Sequence, residues 1–188
     1  STGLFSYTIS DTSIASVSSN TVTIAGAGTT TILINQSSDN NYNTGVSSIT
    51  LIINKAHPFI HFPDITKTYG DPNFNLTATS NSTGAFTFTI SNTSLATVSG
   101  STVSIVAAGI TIATVSQTTD NKHLAATATM TLTINKADPT IVFNDLTKNF
   151  GDVDFDLVAS SNSSGIFSFI VSDTSVATVI SSTITIIG

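Results

Sequence analysis

Hydrophobic and polar residues alternate in short runs along this chain. In FTFTI, residues 86–90, threonines separate Phe86, Phe88 and Ile90; in ATATMTLTIN, residues 126–135, Ala128, Met130, Leu132 and Ile134 share one parity and Thr127, Thr129, Thr131 and Thr133 the other. A period of two is that of a half-buried antiparallel strand with one dry face and one wet face. The same parity places Phe74, Leu76 and Ala78 on one strand face, and Ile60 with Phe62 on an opening strand that begins at Pro58. Shorter segments at Leu95–Val98, Val103 with Ile105, and Ala113 with Val115 bring the count to about seven strands. Turn residues punctuate them: YGDP at 69–72, SNSTG at 80–84, SGS at 99–101 and AAG at 107–109. In the first of these, Gly70 is free to take positive φ and Pro72 presets its own.

The pattern then repeats. Lys55 and Lys136 lie 81 residues apart, and so do Pro58 and Pro139, Gly70 and Gly151, Phe74 and Phe155, and Gln36 and Gln117, without an insertion or deletion along the chain. A fixed long period marks a tandem array. It divides the sequence into a partial copy at 1–55, a complete copy at 56–136 and a partial copy at 137–188. The strands within one copy predict an all-β chain of tandem immunoglobulin-like β-sandwiches with no helices of note. Tryptophan and cysteine are absent, so aliphatic residues and phenylalanines such as Phe62, Phe74, Phe86 and Phe88 must fill the core. The first copy lacks the opening strands and the last lacks the closing ones, and neither half is expected to be stable alone. Completion is expected from further copies in a longer polypeptide, or from strand exchange between chains.

Copies meet at KAHP, residues 55–58, and KADP, residues 136–139, with no flexible spacer. Proline fixes φ and holds the preceding residue extended, so Lys55, Pro58, Lys136 and Pro139 mark stiff joints. At Pro139 the missing N–H also blunts an exposed strand edge.

Composition narrows the partners. The net charge is −6 and the pI near 4.5, with five lysines as the whole cationic complement. That excludes a phosphate-binding stripe, so neither nucleic acid nor an anionic membrane surface is expected. No apolar run approaches the roughly 20 residues of a membrane span, so this segment is not expected to insert.

Candidate chemistry is sparse. His57 and His61 have the spacing of a helical metal pair but fall on a strand, and their counterparts are Asp138 and Val142. Asp152, Asp154 and Asp156 alternate on one strand face like the start of a calcium loop, but the glycine and terminal glutamate of such a loop are missing, the counterparts are Asp71, Asn73 and Asn75, and a solvated edge is the preferred reading. Asp39 and Asp120 open the loops DNN and DNK before the final strand, where turn chemistry accounts for them and weak calcium binding is the alternative. Calcium is therefore the one cofactor to test, and otherwise none is expected. No histidine recurs in every copy to activate a serine, so an enzyme is not expected. Lys67 and Lys148 follow short polar turns; a lysine–asparagine crosslink there would need burial beside a carboxylate, and a solubilising role is preferred. Asn35, Asn75, Asn81, Asn92 and Asn162 stand in Asn-x-Ser/Thr sequons. Loop aromatics that could recognise a sugar are few: Tyr42 and Tyr69, with Tyr7 in a strand.

YGDPNF at 69–74, SNSTGAFTFTISNTSLATVSGSTVSIVAAG at 80–109 and TLTINKADPTI at 131–141 resemble bacterial Ig-like (Big) repeats. The YGD segment is similar to the MBG YGX-type modules of very large bacterial surface proteins. Phe150 and Val153 replace Tyr69 and Pro72 in the third copy and weaken the turn signature there. The resemblance implies a non-catalytic structural segment of an extracellular rod or filament, as in the stalk of a cell-surface adhesin or a matrix fibre. Its partners would be neighbouring repeats of the same or adjacent chains, with surface glycans or proteins as further candidates. The alternatives are a carbohydrate- or protein-binding adhesion module and a fibre subunit that polymerises by strand exchange.

Overall fold

A computed structural model describes residues 2–188. The described residues are all-β, and the chain divides into two compact units, Ser1–Lys136 and Ala137–Gly188.

In the first unit the partial copy forms β1 (Phe5–Ile9), β2 (Ala15–Ser18), β3 (Thr21–Ile24), β4 (Gly28–Gln36) and β5 (Gly45–Ile53). The complete copy adds β6 (Ile60–His61), β7 (Ile65–Thr68), β8 (Phe74–Asn75), β9 (Thr79–Ser80), β10 (Phe86–Ile90), β11 (Ala96–Ser99), β12 (Thr102–Ile105), β13 (Gly109–Gln117) and β14 (Ala126–Asn135). Its main sheet runs β10-β13-β14-β7, faced by β11-β12-β8, with the small pair β6-β9 alongside. Alternation on β13 and β14 turns Ala113, Val115, Met130, Leu132 and Ile134 inward, where they meet Phe62, Leu76, Ala96 and Val103 in one dry core. Phe88 packs at its margin, its ring centroid 5.8 Å from that of Phe62 and 6.3 Å from that of Phe86.

Three details depart from the pattern reading. The single strand expected through Phe74, Leu76 and Ala78 is broken. β8 pairs with β12 in one sheet, β9 pairs with β6 in another, and Leu76 drops into the core between them, its N–H donating to the Ser101 carbonyl at 2.8 Å. The opening strand from Pro58 shrinks to Ile60–His61, bounded by two prolines, Pro58 and Pro63, that donate nothing to a ladder. Ile65–Thr68, which the alternation did not mark as a strand, runs parallel to β14 and pairs Ile65 with Leu132. Asp64 opens that ladder by accepting the Thr131 N–H at 2.6 Å. The turn that follows has Gly70 at φ 94°, a left-handed conformation that suits glycine.

The partial first copy keeps the register of the complete one. Phe5 pairs with Gln36 as Phe86 pairs with Gln117, and Val17 pairs with Val22 as Val98 pairs with Val103. Its sheets, β1-β4-β5 and β2-β3, have no counterparts of β6 to β9.

The second unit contains β15 (Ile141–Val142), β16 (Phe155–Asp156), β17 (Ser160–Ser161), β18 (Ala177–Ile180) and β19 (Thr183–Ile186), arranged as β16-β19-β18 and β15-β17. Its residues 166–171 form no strand, because this unit holds no counterpart of β13, the strand that pairs with β10.

Candidate functional site: the acidic clasp at the repeat joint

The loop between β13 and β14 is built around one carboxylate. Asp120 Oδ1 accepts the N–H groups of Lys122 at 2.7 Å and His123 at 2.6 Å, which closes the loop on itself. The Asp120 N–H in turn donates to the His123 carbonyl at 3.1 Å. Asp120 Oδ2 reaches across to the segment before β10. There it accepts the Thr83 N–H at 2.8 Å, the Ser82 hydroxyl at 2.9 Å and the Thr83 hydroxyl at 3.1 Å. His123 Nδ1 lies 3.2 Å from Oδ1 and 3.3 Å from Oδ2. The Thr83 N–H, joined by those of Lys122 and His123 and by the Ser82 hydroxyl, holds the Asp120 carboxyl far below the ordinary carboxylate range, against the opposing effect of desolvation.

Beside it, buried Gln117 donates its Nε2 to the carbonyls of Ser82 at 3.0 Å and Gly84 at 2.9 Å. Gly84 is required by close approach: a Cβ there would collide with the Thr118 carbonyl oxygen. Residues 82–84 are thus fastened to residues 117–120 by the Asp120 carboxylate and the Gln117 amide.

The outer edge of the same loop receives the chain as it arrives from the preceding copy. β5 ends at Ile53, and Ala56 is already seated: its N–H donates to the Lys122 carbonyl at 2.9 Å, and its carbonyl accepts the Leu124 N–H at 2.8 Å. Lys55 Nζ donates to the Thr119 hydroxyl at 2.8 Å. From the first copy, the Ala27 N–H reaches the Asn121 carbonyl at 3.4 Å. The joint at Lys55–Pro58 is therefore pinned by main-chain hydrogen bonds on both sides of Ala56. Lys136 and Pro139 are exposed.

Asp39 repeats the inner half of this arrangement. Its Oδ2 accepts the Thr2 N–H at 2.8 Å, and its Oδ1 accepts the N–H groups of Asn41 and Tyr42, each at 2.9 Å. The candidate acidic row in the third copy does not form one strand face. Asp152 lies in the turn, where it accepts the Asn149 N–H at 3.0 Å, and the strand begins only at Phe155. Asp156 accepts the Thr183 hydroxyl at 2.7 Å, and Asp154 precedes the strand. His57 and His61 are both exposed. Among the described residues, no three or more histidine and carboxylate side chains gather where they could hold a metal ion.

The sequon asparagines serve as local ties. Asn81 accepts the Phe59 N–H at 2.8 Å, and its counterpart Asn162 accepts the Thr140 N–H at 2.9 Å. Asn75 accepts the Thr102 hydroxyl at 2.9 Å, and Asn92 accepts both the N–H and the hydroxyl of Ser94. The counterparts of Asn92, Asp11 and Asp173, do the same with Ser13 and Ser175, whose hydroxyls and N–H groups lower both carboxyls below their usual range. Asn35 is half-buried on β4. Lys67 and Lys148 hold their ammonium groups over the rings of Phe74 and Phe155, at 5.1 and 4.7 Å from the centroids. Tyr42 and Tyr69 are exposed loop residues.

Sequence reasoning missed Ser82, Thr83, Gln117 and His123 as parts of the clasp. The joint recurrence of Thr2 with Thr83, Gln36 with Gln117 and Asp39 with Asp120 at one offset was the available signal.

No protein-family model matches the sequence, and no curated protein matches it. Among solved structures, the chain is similar to domains 4–9 of the surface layer protein SbsC, at 17% identity and a TM-score of 0.35, over 85% of this chain and 28% of that one. It is similar to Drosophila N-cadherin EC1-4 at 13% identity and a TM-score of 0.36, over 71% of this chain and 42% of that one. SbsC domains 4 and 5 give 19% identity and a TM-score of 0.31, over 70% and 76%.

Proposed function

We propose that this chain is a non-catalytic structural segment of an extracellular, cell-surface repeat rod or filament, built from bacterial Ig-like repeats of the YGX type. The observation that carries the reading is the joint. Three residues after β5 ends, Ala56 is bonded through both its N–H and its carbonyl to a loop that Asp120 closes on itself. A chain that served only to tether would place a flexible, Gly/Ser-rich coil here. The carboxylates support a role in cohesion rather than catalysis or calcium binding, since the oxygens of Asp120 are occupied by N–H and O–H donors with which a cation would have to compete.

Stiffness at this joint can be measured directly. The sequence has no cysteine, so Ser16→Cys and Thr127→Cys, both at exposed strand positions, can carry spin labels at unique sites. Dipolar spectroscopy should give a narrow distance distribution, broadened when Gly-Gly is inserted between Lys55 and Ala56. A broad distribution without the insertion would refute the rod reading.

A further inference from the structure

We propose that the outer edge of β10 is an interaction surface for a second copy of this chain, the two β10 strands pairing antiparallel so that the sheet β10-β13-β14-β7 continues from one chain into the other. The inference goes beyond the rod reading above, because it concerns the flank of a sandwich and not its joint.

β10 is bonded on one side only. The Ser91 N–H donates to the Ile112 carbonyl at 2.9 Å and the Thr118 N–H to the Ala85 carbonyl at 3.0 Å, which fixes the parity of the ladder. The main-chain groups of Thr87 and Thr89 face β13, and those of Phe86, Phe88 and Ile90 face away from it. Among the described residues these outward groups have no hydrogen-bond partner. The copy is complete here. Its opening segment supplies β7 at the far edge of the same sheet and β8 in the facing one, so the free edge belongs to the finished sandwich. Both ends of the strand are also held in place: the clasp fastens Ser82 and Thr83, and the Asn92 N–H donates to the Thr111 hydroxyl at 3.2 Å.

Sheet edges normally carry a device against foreign strands, such as a charge, a proline, a bulge or shortness. The other edges of this copy do. β7 carries Lys67 and follows Pro63, and β6, β8 and β9 are two residues long. On β11 the outward N–H of Ala96 is already given to the Asn92 carbonyl at 3.3 Å. β10 has none of these: FTFTI is five residues long, uncharged, free of proline and paired to β13 without a bulge. In a chain of net charge −6, such a neutral strip is where two copies can approach without repulsion.

Symmetry of the sequence selects a second copy as the occupant. Antiparallel pairing centred on Phe88 sets Phe88 against Phe88, Phe86 against Ile90 and Thr87 against Thr89 across a two-fold axis. Each apolar pair then exchanges two N–H to carbonyl bonds, and every outward group of the edge is used. A slip of two residues would leave Phe86 or Ile90 opposite no residue of β10. Space is present on the inner side as well, where an open hollow of about 510 Å³ lined by Phe86, Thr87, Phe88, Gly100 and Ser101 lies beside the rings that the second copy's phenylalanines would meet.

One such edge is small beside the roughly 1,000 Å² of a stable interface, so the association is read at high concentration. Sedimentation of the 188-residue chain should show a monomer–dimer equilibrium, and amide exchange at Phe86, Phe88 and Ile90 should slow as the dimer forms. Thr87 and Thr89 are exposed and face one another across the axis. A chain carrying Thr87→Lys and Thr89→Lys should need at least about tenfold higher concentration for the same protection, since like charges then stand directly opposite. Mixing it with a chain carrying Thr87→Asp and Thr89→Asp should restore protection that neither gives alone, which loss of folding could not do. A mass independent of concentration, equal protection in the lysine-substituted chain, a mixture that does not pair, or slowed exchange confined to other strands would overturn the proposal. None of these outcomes bears on the stiffness of the joint, which the spin labels report separately.

Discussion

Val22 and Val103 are the same residue at the same register position of two copies, each paired across a hairpin with a valine. What distinguishes them is cover, because β8 lies against Val103, with Phe74 as its direct neighbour, and among the described residues no strand pairs with that edge beside Val22. Val103→Ala removes two methyl groups from a fully dry site, a transfer loss of about 1.6 kcal/mol at about 0.8 per group. The cavity left in a close-packed core raises the total to about 2–3 kcal/mol. Val22→Ala removes the same atoms from a site already 41% exposed. About three-fifths of the transfer loss survives there, ~1 kcal/mol, and no closed cavity forms. Strand propensity changes equally in both variants and cancels in the comparison. Opening free energies from native-state amide exchange, read on β12 in one variant and β3 in the other, measure the two losses separately. Equal losses, or a loss below about 1 kcal/mol for Val103→Ala, would refute the inference that residues 55–81 complete the core.

Gly84→Ala should destabilise the complete copy by more than about 2 kcal/mol in urea unfolding, since its Cβ has no room beside the Thr118 carbonyl. Gly165→Ala at the equivalent position should be nearly neutral, because that Cβ meets only the Ser163 hydroxyl at 3.5 Å. The clasp also predicts an acid response: the folded-state pKa of Asp120 lies below its unfolded value near 3.9, so its contribution is complete above that pH and is lost as pH falls towards the folded-state value. Thermal melts between about pH 5 and 2 should therefore fall less steeply for Asp120→Asn than for the unaltered chain.

The strands that alternate cleanly were legible in the sequence, and so was their recurrence from copy to copy, because one offset of 81 superimposes the copies. Parity says which face of FTFTI or TMTLTI is dry, and burial follows it residue by residue. Parity does not say which strand lies alongside. ITKT at 65–68 carries one strong apolar residue and gains its strand character from a parallel partner some 67 positions away, a distance set by Leu132 opposite Ile65. Phe74, Leu76 and Ala78 keep a common parity although the chain leaves one sheet for another between them, so a pattern of two was consistent with both one strand and two. Asp39 and Asp120 were recognisable as turn formers because that role is local. The second half of their role, accepting donors from Thr2 or from Ser82 and Thr83, is contact across 37 or 38 residues and leaves no local mark.

The chemistry of the joint explains how so charge-poor a chain can cohere. Of the bonds that seat Lys55 and Ala56, those made by Ala56 are neutral N–H to carbonyl pairs, and the one charged donor, Lys55, meets a hydroxyl rather than a carboxylate. Screening by salt acts on exposed ion pairs and hardly on such bonds. The carboxylate that organises the site is turned inward, where neutral donors satisfy it, and the loop presents its main-chain edge outward to the chain arriving from the preceding copy. An edge of main-chain groups reads shape and spacing rather than side-chain identity, and His57 beside it is exposed. Adding a residue between Ile53 and Ala56 should therefore unseat Ala56 from the loop and speed amide exchange at Leu124, whose N–H the Ala56 carbonyl accepts.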